Sequence, residues 1–153
     1  MPHVLLSIAV AVLGLMSLIA SPVLAVGTED GGGEAASVSG YAEAKGLVDA
    51  GNYVAALPGL RGLTKSDPKN ADAWNLLGFT YRNLGEMAES SAAYLKVLAI
   101  NPDHLGALEY QGELFLETGR PDLARANFER LKQLCGSCDE ADDLEKALLA
   151  AGV

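Results

Sequence analysis

Hydrophobic positions along this chain recur at a constant spacing of thirty-four residues over three consecutive stretches. Three repeat positions carry only large apolar or aromatic side chains: Leu47, Tyr81 and Phe115; Leu60, Tyr94 and Phe128; Leu63, Val97 and Leu131. A fourth position is always glycine: Gly51, Gly85 and Gly119. Within each stretch the apolar spacing is helical, and the central glycine is expected to end the first of two helices. A period of this length indicates an array of helix-turn-helix units that bury their apolar faces against one another.

The register divides the chain into three repeats at 37–70, 71–104 and 105–138. A last helical segment within 139–153 is expected to cover the apolar face of the third repeat. The sequence therefore predicts an all-α solenoid of three helix pairs with a C-terminal capping helix.

Turn and packing residues refine this register. Asn70 is expected to cap the first helix of the second repeat and Asp103 that of the third, whereas His104 is interpreted as a solvated turn residue. Close approach of the two helices in a pair requires small residues at facing positions. The predicted facing pairs are Ala44 with Ala56, Gly78 with Ser90, and Gly112 with Ala124.

The second repeat also contains a recognisable signature. Its residues are Trp74-x-x-Leu77-Gly78-x-x-Tyr81, followed by Ile100-x-Pro102. This pattern resembles the tetratricopeptide-repeat signature, and the resemblance covers about two-thirds of the chain. It implies a right-handed superhelical solenoid whose first helices line a concave groove. It also implies a module that binds proteins or peptides, without catalysis and without a cofactor.

In such arrays the groove is formed by positions two, five, nine, twelve and thirteen of each repeat. The resemblance therefore gives these candidate partner-binding residues: Tyr41, Lys45, Asn75, Phe79, Arg82, Glu109 and Glu113. Phe79 is the informative one, because an exposed aromatic ring is unusual unless something covers it. The alternative is that the N-terminal linker or the cap helix folds over it. Trp74 and Tyr81 are expected in the core.

Some members of this family grip a C-terminal carboxylate with Lys and Asn side chains in the groove. Lys45 could take part, but Leu76, Gly106 and Tyr110 stand where that clamp requires Asn, Lys and Arg. The glutamates of the third repeat would also repel a carboxylate. A carboxylate clamp is therefore not expected.

The N-terminal segment is apolar, with no Lys, Arg, Asp or Glu in its first twenty residues. Residues 1–25 end in Val23-Leu24-Ala25, a small-residue cleavage site, so we expect a secretory signal. An uncleaved membrane anchor is the alternative. Either would export the repeats, and a bacterial periplasm fits best. Residues 26–36 are rich in glycine and acidic side chains, which predicts a flexible linker.

Charge narrows the range of partners. Twenty acidic against eleven basic residues give a net charge of −9. Such a chain repels nucleic acid phosphates and anionic lipid, so membrane contact is expected only through the N-terminal segment, and only if that segment is not cleaved. The expected partner is a neutral to basic protein or peptide. Self-association through the open edge of the first repeat is a further hypothesis.

One motif suggests chemistry, Cys135-Gly136-Ser137-Cys138. In an exported protein it raises the alternative of a thiol-disulfide redox protein. However, Cys135 is expected at the end of a helix, where the dipole opposes thiolate formation, and acidic residues follow Cys138. A structural disulfide between the two cysteines is the preferred interpretation. No metal is expected, because two thiols alone do not complete a tetrahedral zinc site.

Overall fold

The computed structural model describes residues 31–153, which form seven α-helices and no strand. The helices are α1 (Gly31–Asp49), α2 (Tyr53–Ser66), α3 (Ala71–Asn83), α4 (Met87–Ile100), α5 (Leu105–Glu117), α6 (Pro121–Cys135) and α7 (Asp139–Ala150). The expected signal segment and residues 26–30 lie outside the described residues. None of the helices described combines the length and the apolar character that a bilayer crossing requires. The predicted all-α repeat fold is confirmed.

The turn inside each helix pair is the same in all three repeats. Gly51, Gly85 and Gly119 have φ values of 73°, 80° and 71°, in the left-handed region that glycine occupies without steric cost. One backbone hydrogen bond also recurs at the same repeat position. It joins Asn52 N–H to Leu47 O (2.8 Å), Glu86 N–H to Tyr81 O (2.9 Å) and Arg120 N–H to Phe115 O (2.7 Å). This six-to-one bond belongs to a Schellman motif, which ends each first helix at the central glycine.

The helices stack in two unequal rows. The backbones of α1 and α3, of α3 and α5, and of α5 and α7 approach closely, whereas no Cα atoms of α2, α4 and α6 come within 8 Å of one another. The odd-numbered helices therefore lie closer together and form the inner side of the solenoid. All of the predicted groove residues lie on these odd-numbered helices.

Two glycines allow close packing, but their neighbours differ from those predicted. A Cβ on Gly78 would lie 2.7 Å from Cε1 of Tyr94, so the buried Tyr94 ring, rather than Ser90, is its closest neighbour. A Cβ on Gly112 would lie 2.6 Å from Cδ2 of Leu144. Gly112 therefore faces helix α7 more closely than Ala124, because the cap helix packs directly on α5.

Helix α1 begins earlier than the sequence predicted. Residues 31–36 are helical, where a flexible linker was expected. A helix already formed by later residues extends at little cost, since each added residue gains one hydrogen bond. Glu34, Ala35 and Ala36 also have favourable helix propensity.

The N-cap of α5 is His104, not Asp103, and His104 is not a free turn residue. Its Nδ1 accepts a hydrogen bond of 3.1 Å from Ala107 N–H. Since Nδ1 is an acceptor, Nε2 carries the hydrogen and donates to Asp72 at 3.0 Å. The cap of the preceding repeat is as predicted, with Asn70 Oδ1 accepting from Ala73 N–H at 2.9 Å.

Candidate partner-binding groove

The centre of the groove is Arg82, whose side chain is only 12% exposed between α3 and α5. Its Nη1 donates a hydrogen bond of 2.7 Å to Glu117 Oε1, and its Nη2 pairs with Glu113. Burial works against the charged form of Arg82, but the carboxylates of Glu113 and Glu117 more than offset it and raise the pKa of the guanidinium. Arg82 therefore stays positively charged and links the second repeat to the third through its ion pairs.

Aromatic rings form the floor beside this ion pair. Arg82 Cζ lies 5.6 Å from the ring centroid of Phe79 and 5.9 Å from that of Tyr110, within cation–π range. The Phe79 and Tyr110 centroids are 4.9 Å apart, and Tyr53 meets Phe79 edge-on at 6.2 Å. Phe79 is thus half-buried rather than exposed as predicted, because Tyr53, Tyr110 and Arg82 cover part of its ring.

A buried polar layer lies behind this floor. The Tyr94 ring is fully buried with its centroid 6.5 Å from that of Tyr110. Its hydroxyl lies next to Ser90 and Arg82, yet the hydroxyl, Ser90 Oγ and Arg82 Nε form no hydrogen bond of good geometry among the described residues. Burial raises the pKa of the Tyr94 hydroxyl. Uncompensated polar atoms of this kind are rare in native proteins and are concentrated here under the groove.

Glu109 departs most from its predicted environment. It was expected to line an open groove, yet it is 8% exposed, because α7 packs across α5. Burial raises the pKa of its carboxyl to about 8, and the nearby charges of Glu113, Asp143 and Glu140 act in the same direction. Arg82 lowers it only in part. Glu109 therefore lies beside the groove as an acid that is largely protonated at neutral pH.

The first-repeat candidates lie apart from this cluster. Lys45 is exposed and pairs with Asp49 on its own helix at 2.7 Å. Tyr41 is half-buried against the first core cluster, and burial, followed by the charge of Asp72, raises the pKa of its hydroxyl. Asn75 is half-buried beside Gly106, and its Oδ1 has no hydrogen-bond partner among the described residues. The structure thus joins Phe79, Arg82 and Glu113 directly, but not Lys45.

Four side chains at this site were not predicted from the sequence: Tyr53, Tyr110, Glu140 and Asp143. The two tyrosines could have been identified because they differ from the residues at the same positions of the other repeats. Tyr53 stands where the other repeats have Met87 and Pro121, and Tyr110 where they have Ala42 and Leu76. No repeat pattern could place Glu140 and Asp143, since α7 follows the last repeat.

The cysteine motif lies at the junction of α6 and α7, as expected. Cys135 is the last residue of α6 and Cys138 is the N-cap of α7. Their Sγ atoms are 2.08 Å apart and their Cα atoms 5.8 Å apart. A structural disulfide in the cell stays a prediction, and a redox role stays the alternative. Across residues 31–153 no three potential metal-ligating side chains cluster closely enough to hold an ion.

Comparison with protein families matches residues 41–104 and 80–137 to the tetratricopeptide repeat. Among curated proteins, the tetratricopeptide repeat protein 21 homolog of Caenorhabditis elegans is 33% identical over 72 residues. That stretch is 47% of this chain but only 5% of the relative, so the two proteins share a short segment of repeats.

Three solved structures have a similar fold. The Arabidopsis OM64 TPR domain aligns with a TM-score of 0.70 at 18% identity, covering 78% of this chain and 98% of that domain. The first TPR of Spaghetti (RPAP3), bound to the HSP90 peptide SRMEEVD, gives 0.67 at 19% identity, covering 76% and 94%. The Yersinia enterocolitica type III secretion chaperone SycD, in complex with a YopD peptide, gives 0.65 at 16% identity, covering 74% and 86%. At these identities the likeness is one of fold.

Proposed function

This chain belongs to the tetratricopeptide-repeat family, and we propose that it is an adaptor that holds a polypeptide segment in the groove lined by α1, α3 and α5. The observation that carries the proposal is the partly buried floor of Phe79, Tyr110 and Arg82, which spans two repeats. Two proteins of similar fold bind peptides, the first TPR of Spaghetti and SycD, which supports the same class of ligand here.

The floor suits one apolar or aromatic side chain of the partner. Phe79 and Tyr110 present ring surface that further burial would stabilise, and Arg82 fixes the edge of that surface through its ion pairs. Buried aromatic residues and arginines of this kind contribute most of the binding energy in known interfaces. We therefore assign the main contact to the junction of the second and third repeats.

The charge of the groove selects a neutral to basic segment. The protein carries a net charge of −9, and Arg82 is already paired with Glu113 and Glu117. A free C-terminal carboxylate would meet these glutamates without a lysine at Gly106 or an arginine at Tyr110 to receive it. Electrostatic complementarity of this type acts mainly on specificity and on the association rate.

We assign the protein to an exported location, most consistent with a bacterial periplasm, on the strength of the apolar segment 1–25. In that compartment Cys135 and Cys138 would form a disulfide that joins α6 to the cap helix. Cys135 lies at the C-terminal end of α6, where the helix dipole disfavours a thiolate, and this placement supports a structural role.

A charge-reversal pair tests the groove. A random dodecapeptide library displayed on phage is selected against the wild-type protein, and the recovered peptides are measured against Glu117→Lys and Glu129→Lys. Glu117 lies in the groove, whereas Glu129 is exposed on α6, so both variants change the net charge equally. We expect at least tenfold weaker binding for the groove variant only. Equal affinities of the two variants, or no enriched peptide, would reject the proposal.

A further inference from the structure

We propose that the outer side of the solenoid carries a second docking surface, which binds an acidic segment of a partner protein and buries one of its apolar side chains. The surface is a cleft of about 660 Å³ between α2 and α4, the outer cleft, with α3 as its floor. Its main lining residues are Arg61, Thr64, Trp74, Tyr81, Glu89 and Lys96. It lies on a different face of α3 from Phe79 and Arg82, so this inference does not depend on the proposed groove.

The outer cleft exists because the outer helices diverge and carry small residues at this junction. No Cα atom of α2 comes within 8 Å of one in α4, so side chains of α3 remain uncovered between them. Thr64 on α2 and Ala93 on α4 line this space. The same repeat positions at the next junction carry the larger Leu98 and Asn127, and Asn127 reaches across to donate to Leu108 O at 2.9 Å. At these positions the outer helices therefore fill the first junction less than the second.

The floor of the outer cleft is aromatic and only partly covered. Trp74 and Tyr81 were expected in the core, and they pack against the first core cluster but remain half-buried. The indole N–H of Trp74 donates to Pro68 O at 3.1 Å, and the Tyr81 hydroxyl accepts from Arg61 Nε at 2.9 Å. Because these polar atoms already have partners, an apolar side chain could cover the rings without leaving a polar group unpaired.

The rim of the outer cleft is basic, although the protein as a whole is acidic. Arg61 and Lys96 are exposed, and neither forms an ion pair with any residue in 31–153. At the next junction Arg130 stands at the repeat position of Lys96 and pairs with Asp103. Lys69 stands at the position of Asp103 in the first junction. The first junction thus presents cations without the acid that compensates them at the second.

The charges that line the cleft select the chemistry of the partner. Among the described lining residues Glu89 is the only acid, and it lies two helical turns before Lys96 on α4. The guanidinium of Arg61 lies over the Tyr81 ring, 5.6 Å from its centroid, which orders this cation at the edge of the floor. Carboxylates of a partner could pair with Arg61 and Lys96 while a neighbouring apolar side chain covers the rings. Charge complementarity therefore favours an acidic segment with one apolar residue.

A short protein segment suits this surface better than a nucleic acid or an anionic membrane. Two exposed cations are enough for one or two carboxylates, whereas the net charge of −9 repels an extended polyanion. The inner groove is proposed to take a neutral to basic segment. An outer cleft for an acidic segment would therefore allow one protein to hold two different partners.

Occupation of the outer cleft can be measured directly, because Trp74 is the single tryptophan of the chain. Phage-displayed dodecapeptides in which one Leu or Phe is flanked by Asp, Glu, Ser and Gly are selected on the wild-type protein. Binding of the recovered peptides is followed by the emission of Trp74 and by the anisotropy of the labelled peptide. Matched peptides carry Asn and Gln in place of the acids, or Ala in place of the apolar residue.

The repeat supplies matched control variants. Ala92→Phe places a ring in the cleft, and Ala126→Phe places the same ring at the equivalent repeat position on α6. Lys96→Glu reverses a charge at the cleft, and Lys132→Glu reverses an exposed charge on α6. All four positions are exposed, so the variants are expected to fold, and circular dichroism checks their helix content.

We expect the acidic peptides to shift the emission of Trp74 to shorter wavelength and to protect it from acrylamide quenching. Lys96→Glu should bind them about tenfold more weakly, and so should the wild type with peptides that lack the acids or the apolar residue. Ala92→Phe should lose binding, whereas both α6 variants should match wild type.

Equal affinities of Lys96→Glu and Lys132→Glu, binding without a change at Trp74, or no enriched peptide would overturn the proposal. Self-association of the protein alone that Lys96→Glu abolishes would also overturn it, because the cleft would then receive a second copy of the chain. Each of these results leaves the proposed inner groove standing, since that groove lies on another face of α3.

Discussion

Arg82 on α3 donates a 2.7 Å hydrogen bond to Glu117 on α5, thirty-five positions along the chain and one residue beyond the repeat. Both side chains lie at the C-terminal ends of their helices, where the dipole favours a cation and disfavours an acid. Arg82 is therefore placed favourably by its own helix and also compensates Glu117. This contact joins two repeats at the edge of the aromatic floor.

Replacing Arg82 by methionine should destabilise the protein by about 3 kcal/mol, because it leaves the largely buried Glu113 without its partner while retaining an apolar stem. The control is Arg125→Met, which removes only the exposed pair with Asp122 and should cost less than about 1 kcal/mol. Urea unfolding measures both. Equal losses would show that Arg82 is not a buried link between repeats.

Adding one methyl group at Gly78 should destabilise the protein, since it would lie 2.7 Å from the Tyr94 ring. We expect Gly78→Ala to cost about 1–3 kcal/mol through overpacking. Gly62→Ala in α2 has open space around its new Cβ and should stabilise by up to about 1 kcal/mol through helix propensity. Thermal unfolding of the two variants should therefore shift in opposite directions. A stabilised Gly78→Ala variant would contradict the packing described for α3 and α4.

The stability of the free protein should fall as pH rises, with Glu109 as a main cause. The folded state raises the pKa of Glu109 to about 8 from an ordinary value of 4.5, so the folded state binds the proton more tightly. Its contribution is neutral below pH 4.5 and becomes fully unfavourable above pH 8.

Glu109→Gln removes this ionisation and should be more stable than wild type at pH 9, by on the order of 2 kcal/mol after allowance for solvent screening. At pH 4 the difference should largely vanish. Denaturant unfolding at the two pH values gives the comparison, with Glu129→Gln as the exposed control. A difference that does not change with pH would mean that folding leaves the pKa of Glu109 at its ordinary value.

Reduction of the Cys135–Cys138 pair should have a small effect on stability. The bond closes a loop with a sequence separation of three, for which loop entropy gives about 2 kcal/mol. Dithiothreitol should lower the unfolding midpoint of wild type but not that of the double Cys→Ser variant. Thiol trapping in redox buffers should give a potential below about −300 mV, typical of a structural bond. A more oxidising potential would support the thiol-disulfide redox alternative.

The sequence predicts the structure correctly where the determinant is local and repeated. Each central glycine permits a left-handed turn within a few residues, so Gly51, Gly85 and Gly119 could be placed from the thirty-four-residue period alone. Asn70 was identified as a cap for the same reason, because its partner Ala73 N–H is three residues away.

The predictions from the sequence were wrong where the outcome depends on packing between distant elements. Glu109 occupies a groove position in the repeat, but α7 packs over it, and α7 lies outside the repeat pattern that could have predicted its position. His104 was predicted to be solvated, because a hydrogen bond to Asp72, thirty-two positions away, cannot be predicted from the local sequence. Phe79 was expected to be exposed, but Tyr53 and Tyr110 pack against its ring. The repeat did not predict this contact, because both tyrosines depart from the repeat at their positions.

The groove is tested most directly by heteronuclear NMR of the isotope-labelled protein during titration with a selected dodecapeptide. Binding should shift the resonances of Phe79, Arg82 and Tyr110 on the inner helices, and leave exposed Leu95 on α4 unchanged. Shifts confined to the outer helices α2, α4 and α6, with the Phe79 and Tyr110 resonances unmoved, would contradict a partner-binding groove on α1, α3 and α5.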